Sequence, residues 1–435
     1  MDPTLEQQTD LDVIVVGAGG AGLTAGAVAA RAGARVLVLD GHEPGGRAAV
    51  TEVTGSGGER VLFNSGPRAL YRGGAGHRVL AGLGISPRGE PAPTNGSAMA
   101  GGTLHSLPGS PWSLARTRLV PSMSKPRLAA VLLALQRGRA ETGRPDQAAT
   151  SWVREVAGRD DLVGALTALL RVATYSADLD HLSADAASRQ LAMAVGQGVL
   201  YLDGGWQQLV DALVGVGAAA GMTVRAGGRV TSVANDTAGV ATVTADGLTH
   251  RAGAVVVAPG GPDAAARLLG RHDPWSGHLG PVATAACLEL AVDTPPTTRF
   301  VMGVDEPLYL SVHSPPADLA PPGIQVVHLA RYGATTSAAD RAQLEDLAAR
   351  AGIRPQHVVA RRFLHRMVVS PGQPGPSTGG LAGRPPVQDP GRPAVFLAGD
   401  WVGDEGLLGD ASFASGERAG AAAAAHAALA VAAQG

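Results

Sequence analysis

A glycine-rich turn between an apolar strand and a helix constrains this chain more than any other feature. Residues 13–16 are four β-forming apolar residues, and they run directly into Gly17, Gly19 and Gly22. An Ala-rich stretch with helical character follows and leads to a second apolar strand at residues 36–39. Strand, spaced glycines, helix and strand in this order predict a βαβ unit of the doubly wound α/β class.

The spacing of the glycines predicts what this unit binds. Gly17 permits the tight turn, Gly19 lets the backbone approach a pyrophosphate, and Gly22 lets the helix pack on the sheet. The N-terminus of the helix directs amide donors and a partial positive charge at the phosphates. Asp40 closes the second strand and is expected to bind the ribose hydroxyls. The stretch therefore predicts a dinucleotide site.

Length and charge narrow the class of protein. A chain of 435 residues exceeds one hydrophobic core, which predicts two domains or one domain with a large insertion. A formal net charge of -2 provides no basic field for nucleic acid and no polybasic membrane patch. The single cysteine, Cys287, excludes an internal disulfide and favours a reducing compartment, so we expect a cytoplasmic protein.

The two ends of the sequence are predicted from their composition. Residues 1–10 are polar and acidic, and we expect a disordered tail without a secretory signal. The Ala-rich residues 419–433 are too weakly apolar to span a membrane, which predicts the closing helix of a domain and at most a peripheral membrane contact.

The middle of the chain changes its pattern twice. Residues 87–111 are rich in Gly, Pro and Ser and predict short antiparallel strands. From Lys125 to about Arg171, leucines at helical spacing predict an all-helical insertion. Strand patterns return after a helix that ends at Gly221, with a strand through Val224. Alternating valines then predict a β-meander, namely Val230, Val233, Val240 and Val243.

The C-terminal half adds further strands and helices. Residues 254–260 have the pattern of a buried parallel strand, and residues 285–292 and 325–330 also favour strands. A helix is predicted at about residues 338–351. An apolar strand at residues 394–400 precedes a last helix whose N-terminal region is residues 409–420.

Two loops that each contain an arginine follow the βαβ unit. Residues 41–48 form a Gly/Pro loop in which Arg47 is placed to meet phosphate or ribose. Residues 61–68 predict a short strand that breaks at Gly66 and Pro67 and is followed by Arg68, in a loop beside the nucleotide.

Together these segments resemble the FAD-dependent superfamily that contains phytoene desaturases, protoporphyrinogen oxidase and the flavin amine oxidases. Four motifs carry the resemblance: the glycine fingerprint with Asp40, the Gly45-Gly46-Arg47 triplet, residues 201–233, and residues 397–420. The resemblance implies a Rossmann-like FAD-binding domain of the glutathione-reductase type, a mixed α+β substrate domain with a helical insertion, and non-covalent FAD. Its family usually has Glu where this chain has Asp40.

The resemblance also implies a division of the chain and a set of cofactor contacts. FAD-binding segments are expected at 11–85, 201–275 and 386–435, with substrate-domain segments at 86–200 and 276–385. Asp400 would lie by the pyrophosphate and ribityl chain, and the backbone around Ala411 would approach the flavin. The residues expected to bind FAD are Gly17, Gly19, Gly20, Ala21, Gly22, Asp40, Gly41, Gly46, Arg47, Gly66, Pro67, Arg68, Val230, Gly399, Asp400, Ala411, Ser412 and Phe413.

Several features separate the branches of this superfamily. Amine oxidases usually carry a lysine near the flavin N5, but Lys125 lies in the helical insertion, and Leu408 occupies the position of one aromatic wall of their amine cage. These features favour a desaturase-like enzyme that removes two hydrogens from a small or apolar substrate, with an amine oxidase using oxygen as the alternative. The pocket candidates are Tyr332, Trp401 and Leu408, with Tyr201 either in the pocket or in the core.

The remaining expectations concern partners and other classes. One complete fingerprint predicts that the substrate, and not a nicotinamide, reduces the flavin. His313, His328 and His365 lack metal-ligand spacing, so no metal is expected. A small-molecule substrate and a monomer or homodimer are expected. A non-enzymatic flavoprotein-like escort is the rival class, and the intact segment from Asp400 to Gly420 favours the enzyme.

Overall fold

The computed structural model describes residues 11–93, 95–235 and 241–432. Two predictions lie outside the described residues: the tail at residues 1–10, and Val240 of the β-meander. The strands are β1 (Leu11–Val16), β2 (Val36–Leu39), β3 (Val50–Thr54), β4 (Arg60–Asn64), β5 (Leu70–Tyr71), β6 (Gly89–Pro91), β7 (Ser97–Ala100), β8 (Thr103–Ser106), β9 (Val199–Leu202), β10 (Thr223–Arg225), β11 (Val230–Asn235), β12 (Ala241–Ala245), β13 (Leu248–Val257), β14 (Ala283–Val292), β15 (Phe300–Gly303), β16 (Leu308–Val312), β17 (Gln325–Tyr332), β18 (Val358–Ser370) and β19 (Val395–Leu397).

The helices follow the same order along the chain. They are α1 (Gly20–Arg31), α2 (Ala75–Gly82), α3 (Pro111–Arg116), α4 (Lys125–Gln136), α5 (Ala149–Ala157), α6 (Asp160–Thr174), α7 (Ala184–Gln197), α8 (Gln207–Ala219), α9 (Pro262–Leu268), α10 (Ser337–Arg350) and α11 (Leu408–Ala432). Short 3-10 helices occur at Gly46–Ala48, Ser122–Ser124, Pro355–His357, Pro376–Thr378 and Gly380–Gly383.

The predicted βαβ unit forms the centre of a seven-stranded sheet. Its order is β10-β2-β1-β13-β12-β11, and β19 also pairs with β13. The β1 strand is parallel to both β2 and β13. Val13 and Val15 pack on one face with α1, while Ile14 and Val16 pack on the other. Because both faces are covered, every residue of this run must be apolar, which explains the unbroken sequence pattern.

A second seven-stranded sheet lies beyond the first. Its order is β18-β14-β17-β16-β15-β7-β8, and only the pairing of β7 with β15 is parallel. The helix α10 packs on this sheet through Leu344 and Leu347. Two smaller sheets, β3-β4 and β5-β9-β6, complete the strands of the described part of the chain.

The first and last long helices pack against each other unusually closely. A Cβ atom added to Gly416 of α11 would come within 2.4 Å of the Ala21 carbonyl oxygen, and one added to Gly420 within 2.3 Å of the Ala25 carbonyl oxygen. Alanines in α1 and α11 fill the rest of this contact. Small residues therefore set the distance between these helices, and both N-termini face the same cavity.

Two parts of the fold differ from the sequence prediction. The helical region does not stop near Arg171, because α6 ends at Thr174 and α7 continues to Gln197. The buried face of α7 is mostly alanine, so it lacks the leucine spacing on which the prediction depended. The long strand β18 was also missed, since its many charged residues hide the strand pattern.

Candidate active site

A cavity of about 1540 Å³ lies between the two large sheets. Its walls come from the glycine turn after β1, the Gly/Pro loop after β2, the residues that follow β13, the facing strands β14, β17 and β18, and the start of α11. Pockets for a single small ligand measure about 300–1,000 Å³. This cavity therefore has room for a dinucleotide and a second molecule.

The turn after β1 has the geometry that its glycines predict. Gly17 has a φ of 108°, and a Cβ atom there would lie 2.2 Å from the Ala258 carbonyl oxygen. A Cβ atom at Gly22 would lie 1.9 Å from the Gly17 carbonyl oxygen, so this position requires glycine for packing. At Gly19, in contrast, no atom lies within 4 Å of an added Cβ. The N-terminus of α1 has no side-chain cap and opens onto this space.

The carboxylate of Asp40 holds the turn and the second strand together. Its Oδ2 atom accepts a hydrogen bond of 2.7 Å from the Ala18 amide, and its Oδ1 atom accepts one of 2.9 Å from the His42 amide. Each carboxylate oxygen keeps a further lone pair. Asp40 lines the cavity together with Gly41 and Val230, so it can still accept a hydroxyl donor from a ligand.

A bidentate ion pair joins two of the predicted cofactor loops. The Arg47 guanidinium donates hydrogen bonds of 2.9 and 2.7 Å to the two oxygens of Asp400, and a third of 3.1 Å to the Val369 carbonyl. The Asp400 side chain is only 2% exposed. The negative charge of Asp400 raises the pKa of Arg47, so the guanidinium keeps its positive charge at neutral pH.

A buried carboxylate that the sequence reasoning did not single out fixes the Gly66 loop. Glu289 of β14 accepts a hydrogen bond of 3.0 Å from the Gly66 amide and pairs with Arg362 of β18. Its Oε1 atom lies 3.3 Å from Nδ1 of His328. Burial opposes ionisation of Glu289, but the hydrogen bonds and charges of His328 and Arg362 outweigh it and keep its pKa below the ordinary value.

Arg68 follows this loop and lines the cavity without an ion pair among the residues that the structure describes. Its Nε atom is buried and has no hydrogen-bond partner, and its guanidinium carbon lies 5.6 Å from the centroid of the Trp206 ring. Burial, and after it the charge of Arg47, lowers the pKa of Arg68 to about 10. The group is therefore a cation at neutral pH, and it faces the cavity.

Besides Phe413, which was predicted to bind FAD, three aromatic side chains line the cavity, and none of them was a pocket candidate. They are Tyr71, Tyr175 and Trp206. The Tyr71 hydroxyl donates a hydrogen bond of 2.7 Å to the Ala173 carbonyl, which leaves its ring facing the cavity. Tyr175 follows α6 in a left-handed conformation with a φ of 54°. Such a backbone is uncommon outside glycine, so no local pattern predicts this placement.

Two of the pocket candidates lie in the core instead. Trp401 is fully buried and packs on Trp275, with ring centroids 4.6 Å apart. Tyr332 lies behind Tyr175, at 5.8 Å between ring centroids. Neither residue lines the cavity. Tyr201 is also buried, and its ring stacks on that of His313 with 3.8 Å between the centroids, so Tyr201 packs in the core and does not line the cavity.

The start of α11 brings the third pocket candidate to the cavity. Leu408 lines the cavity in a left-handed conformation with a φ of 56°. It also packs beside the helical cluster, the hydrophobic core formed mainly by α4, α5, α6 and α7. Asp410 in the same turn accepts a hydrogen bond of 2.8 Å from the Gly76 amide, while its buried Oδ2 atom has no partner. Burial raises the pKa of Asp410 from 3.8 to about 7. The cavity therefore contains a carboxyl group that is partly protonated near neutral pH.

Most of the predicted cofactor residues meet at this cavity. Gly22, Gly66 and Ala411 support the wall from behind. The residues between Lys125 and Arg171 supply no lining residue. The predicted residues that line the cavity are Gly17, Gly19, Gly20, Ala21, Asp40, Gly41, Gly46, Arg47, Pro67, Arg68, Val230, Gly399, Asp400, Leu408, Ser412 and Phe413.

These residues fit a bound dinucleotide cofactor. Uncapped amides at the start of α1 and the open space beside Gly19 suit a pyrophosphate, and the cavity continues from Asp40 to the start of α11. A model of the flavin-containing amine oxidoreductases matches residues 21–424. The chain belongs to this family. FAD is its cofactor, and the predicted enzyme class, a FAD-dependent oxidoreductase, is confirmed.

Several solved structures share the fold of this chain. An oxidoreductase from Methanosarcina mazei matches with a TM-score of 0.71 and 19% identity, covering 94% of this chain and 99% of its own. Cyclohexylamine oxidase from Brevibacterium oxydans IH-35A matches with a TM-score of 0.67 and 17% identity, covering 97% and 99%. Putrescine oxidase bound to putrescine matches with a TM-score of 0.69 and 14% identity, covering 95% and 99%. A comparison with curated proteins finds no match. Among the described residues, no helix has the length and hydropathy to cross a membrane.

Replacing Gly19 by valine should abolish FAD binding without unfolding the protein. The protein itself leaves space for the side chain, whereas a pyrophosphate at the N-terminus of α1 would compete for that space. Absorbance near the flavin band, per protein, measures binding, and circular dichroism measures folding. Gly22→Ala is the matched control. It should disturb folding in addition to FAD binding, because the added Cβ atom would clash with the Gly17 carbonyl. A yellow Gly19→Val protein would contradict this placement of the pyrophosphate.

Replacing Asp410 by asparagine should stabilise the protein at pH 8 and leave it unchanged at pH 4. The folded protein holds this proton up to about pH 7, whereas the unfolded chain releases it near pH 4. Stability is therefore lost as the pH rises across that window, by about 1.4 kcal/mol for each pKa unit at most. The melting temperature of the FAD-loaded protein measures the effect.

Asp404→Asn is the control for this experiment. Its hydrogen bond with Arg418 lowers the pKa of Asp404, so losing this carboxylate should lower the melting temperature at pH 8. If Asp410→Asn also lowers it at pH 8, the carboxylate form is stabilising and our interpretation of its burial is wrong.

Proposed function

We propose that this enzyme removes two hydrogens from a predominantly apolar or weakly basic organic substrate, in the manner of the desaturase branch. When FAD is bound, its flavin N5 supplies the hydride acceptor. The protein then has to hold a C–H bond in position and exclude water, and no conspicuous acid or base is required. The alternative is an amine oxidase that uses oxygen.

The binding of the cofactor is part of this proposal. The amides at the start of α1 would hold the pyrophosphate, with Asp40 on the adenosine ribose and Val230 beside the adenine. The Arg47 and Asp400 pair would lie along the middle of the FAD, and the N-terminal turn of α11 would lie by the flavin ring, bound non-covalently. The N-terminus of α11 would stabilise negative charge at the pyrimidine end of the flavin ring.

We also propose the division of the chain into alternating FAD-binding and substrate segments. The first large sheet takes its strands from within 11–85, 201–275 and 386–435, and the second takes them from within 86–200 and 276–385. This distribution supports the predicted boundaries.

The cation of Arg68 is the observation that carries the choice of substrate. An ammonium group entering the cavity would meet this guanidinium, which has no ion pair among the described residues, in a partly buried setting, where like charges repel more strongly than in water. Glu289 lies close by, but Arg362 and the Gly66 amide already bind it. A neutral substrate avoids this repulsion.

Two further features weaken the amine oxidase alternative. Lys125, the only lysine of the sequence, lies in α4 and donates its hydrogen bond to the Ala115 carbonyl, so it is no candidate for a lysine at the flavin N5. Leu408 lines the cavity where an amine cage would present an aromatic ring. Losing hydration without a π-face at that position costs an ammonium group several kcal/mol by order of magnitude.

Specific observations also keep the alternative open. Tyr71, Tyr175 and Trp206 offer aromatic faces to the cavity, and Asp410 offers a carboxyl group. Because the Asp410 pKa is raised to about 7, a cation that binds beside Asp410 would favour its ionised form. The fold is also that of cyclohexylamine oxidase and putrescine oxidase.

Anaerobic bleaching of the bound flavin separates the two functions. Neutral candidates, such as polyenes, cyclic alkenes, ketones and amides, should reduce it faster than simple primary amines. Leu408→Tyr should improve reduction by amines, because it restores a π-face for the ammonium group, and Leu408→Met is the matched control of similar volume. If primary amines bleach the wild-type flavin fastest, the amine oxidase function replaces this one.

A further inference from the structure

A second feature of the molecule lies outside the cavity, in the segment that carries α3 and α4. Residues 91–140 contain no aspartate or glutamate and six cations, whereas the whole chain has a formal net charge of -2. The cations are Arg116, Arg118, Lys125, Arg127, Arg137 and Arg139. Chain-wide composition hides this local excess of positive charge.

The same segment exposes large apolar side chains. Trp112 in α3 is 70% exposed, Met123 before α4 is 74% exposed, and Leu133 in α4 is 43% exposed. The opposite side of α4 is buried in the helical cluster through Leu128. Leu133 is therefore an additional apolar residue on the side of α4 that faces solvent. Isolated exposed apolar residues are normal, but three of them within one acid-free segment are not explained by packing.

Contacts within the segment connect α3 with the start of α4. The Lys125 ammonium donates a hydrogen bond of 2.7 Å to the Ala115 carbonyl and so joins the start of α4 to α3. The Arg116 guanidinium carbon lies 5.5 Å from the centroid of the Trp112 ring. The basic apolar patch consists of Trp112, Arg116, Arg118, Met123, Lys125, Leu133, Arg137 and Arg139.

Three charged residues close to the basic apolar patch are not part of it. Asp161 binds Ser124 and Arg159, so its charge is balanced within the helical cluster. Arg127 turns towards α5 and donates to the Val156 and Ala157 carbonyls, so it is not part of the patch. Glu141 is exposed and is the first acid after the segment. The patch thus keeps a net positive charge.

We propose that the basic apolar patch docks this enzyme on the surface of an anionic lipid bilayer. Tryptophan beside arginine and lysine is the composition that binds at the interface between headgroups and acyl chains, where apolar groups insert and cations meet lipid phosphates. The positive charge of this acid-free segment is complementary to an anionic lipid surface. The attachment is peripheral, and it does not depend on the proposed choice of substrate.

Co-sedimentation of the FAD-loaded full-length protein with vesicles tests this proposal. Binding is expected to vesicles of phosphatidylcholine mixed with phosphatidylglycerol and not to phosphatidylcholine alone, and it should weaken as salt is raised. Equal binding to both vesicles, or binding to neither, would overturn it.

Variants connect the binding to the patch. The triple variant Trp112→Ser, Met123→Ser and Leu133→Ser should reduce the vesicle partition coefficient about tenfold or more. Each apolar side chain that inserts into the bilayer interface contributes to binding. The matched control is the double variant Leu248→Ser and Leu429→Ser, which removes exposed leucines elsewhere and should bind like wild type. Flavin absorbance and melting temperature confirm that both variants are folded.

A charge series completes the test. Arg118→Gln with Arg139→Gln should weaken binding to anionic vesicles, and Arg354→Gln, an exposed arginine of another surface, should not. Light scattering in the absence of lipid measures whether the basic apolar patch binds a second copy of the chain instead of a bilayer. If the protein self-associates and the triple variant abolishes this, the patch is an interface between copies and the proposal is wrong.

Discussion

The ion pair between Arg47 and Asp400 is the interaction on which the cavity depends. It connects a loop near the start of the chain with the end of the last strand, across 353 residues of sequence. Asp400 is almost fully buried, so its charge requires a partner, and Arg47 supplies two aligned donors. Removing one member of such a pair leaves an uncompensated buried charge, which costs about 3–5 kcal/mol in other proteins. The pair thus fixes both loops of one cavity wall.

A second charged cluster fixes the opposite wall. Glu289 belongs to the second large sheet, yet it accepts the amide hydrogen of Gly66 from a loop that continues from β4. Arg362 binds this carboxylate and also donates a hydrogen bond to the Asn64 carbonyl. The loop that presents Arg68 to the cavity is therefore held by the second sheet. A cation in that position follows from this arrangement, and in our proposal it is the feature that most restricts the substrate.

The sequence allowed the nucleotide half of the site to be predicted, because its residues act through backbone geometry at fixed spacing. Gly17 and Asp40 have roles that a single βαβ unit determines. The substrate side depends on contacts between distant segments, and no local pattern shows them. Trp401 illustrates the difference, since its place after a cofactor motif predicts a pocket residue, but its ring packs on Trp275 in the core. Tyr175 reaches the cavity only because α6 ends in a left-handed residue.

The central claim of our proposal is that the cation of Arg68 keeps ammonium groups out of the cavity, and the Arg68→Gln variant tests it most directly. The measurement is the rate of anaerobic flavin reduction by cyclohexylamine at pH 7, beside Arg60→Gln as a control on an exposed arginine. Removing a nearby like charge should raise the rate with the amine roughly tenfold or more in Arg68→Gln alone, since repulsion in a partly buried site exceeds that in water. A rate that stays the same or falls would contradict the account.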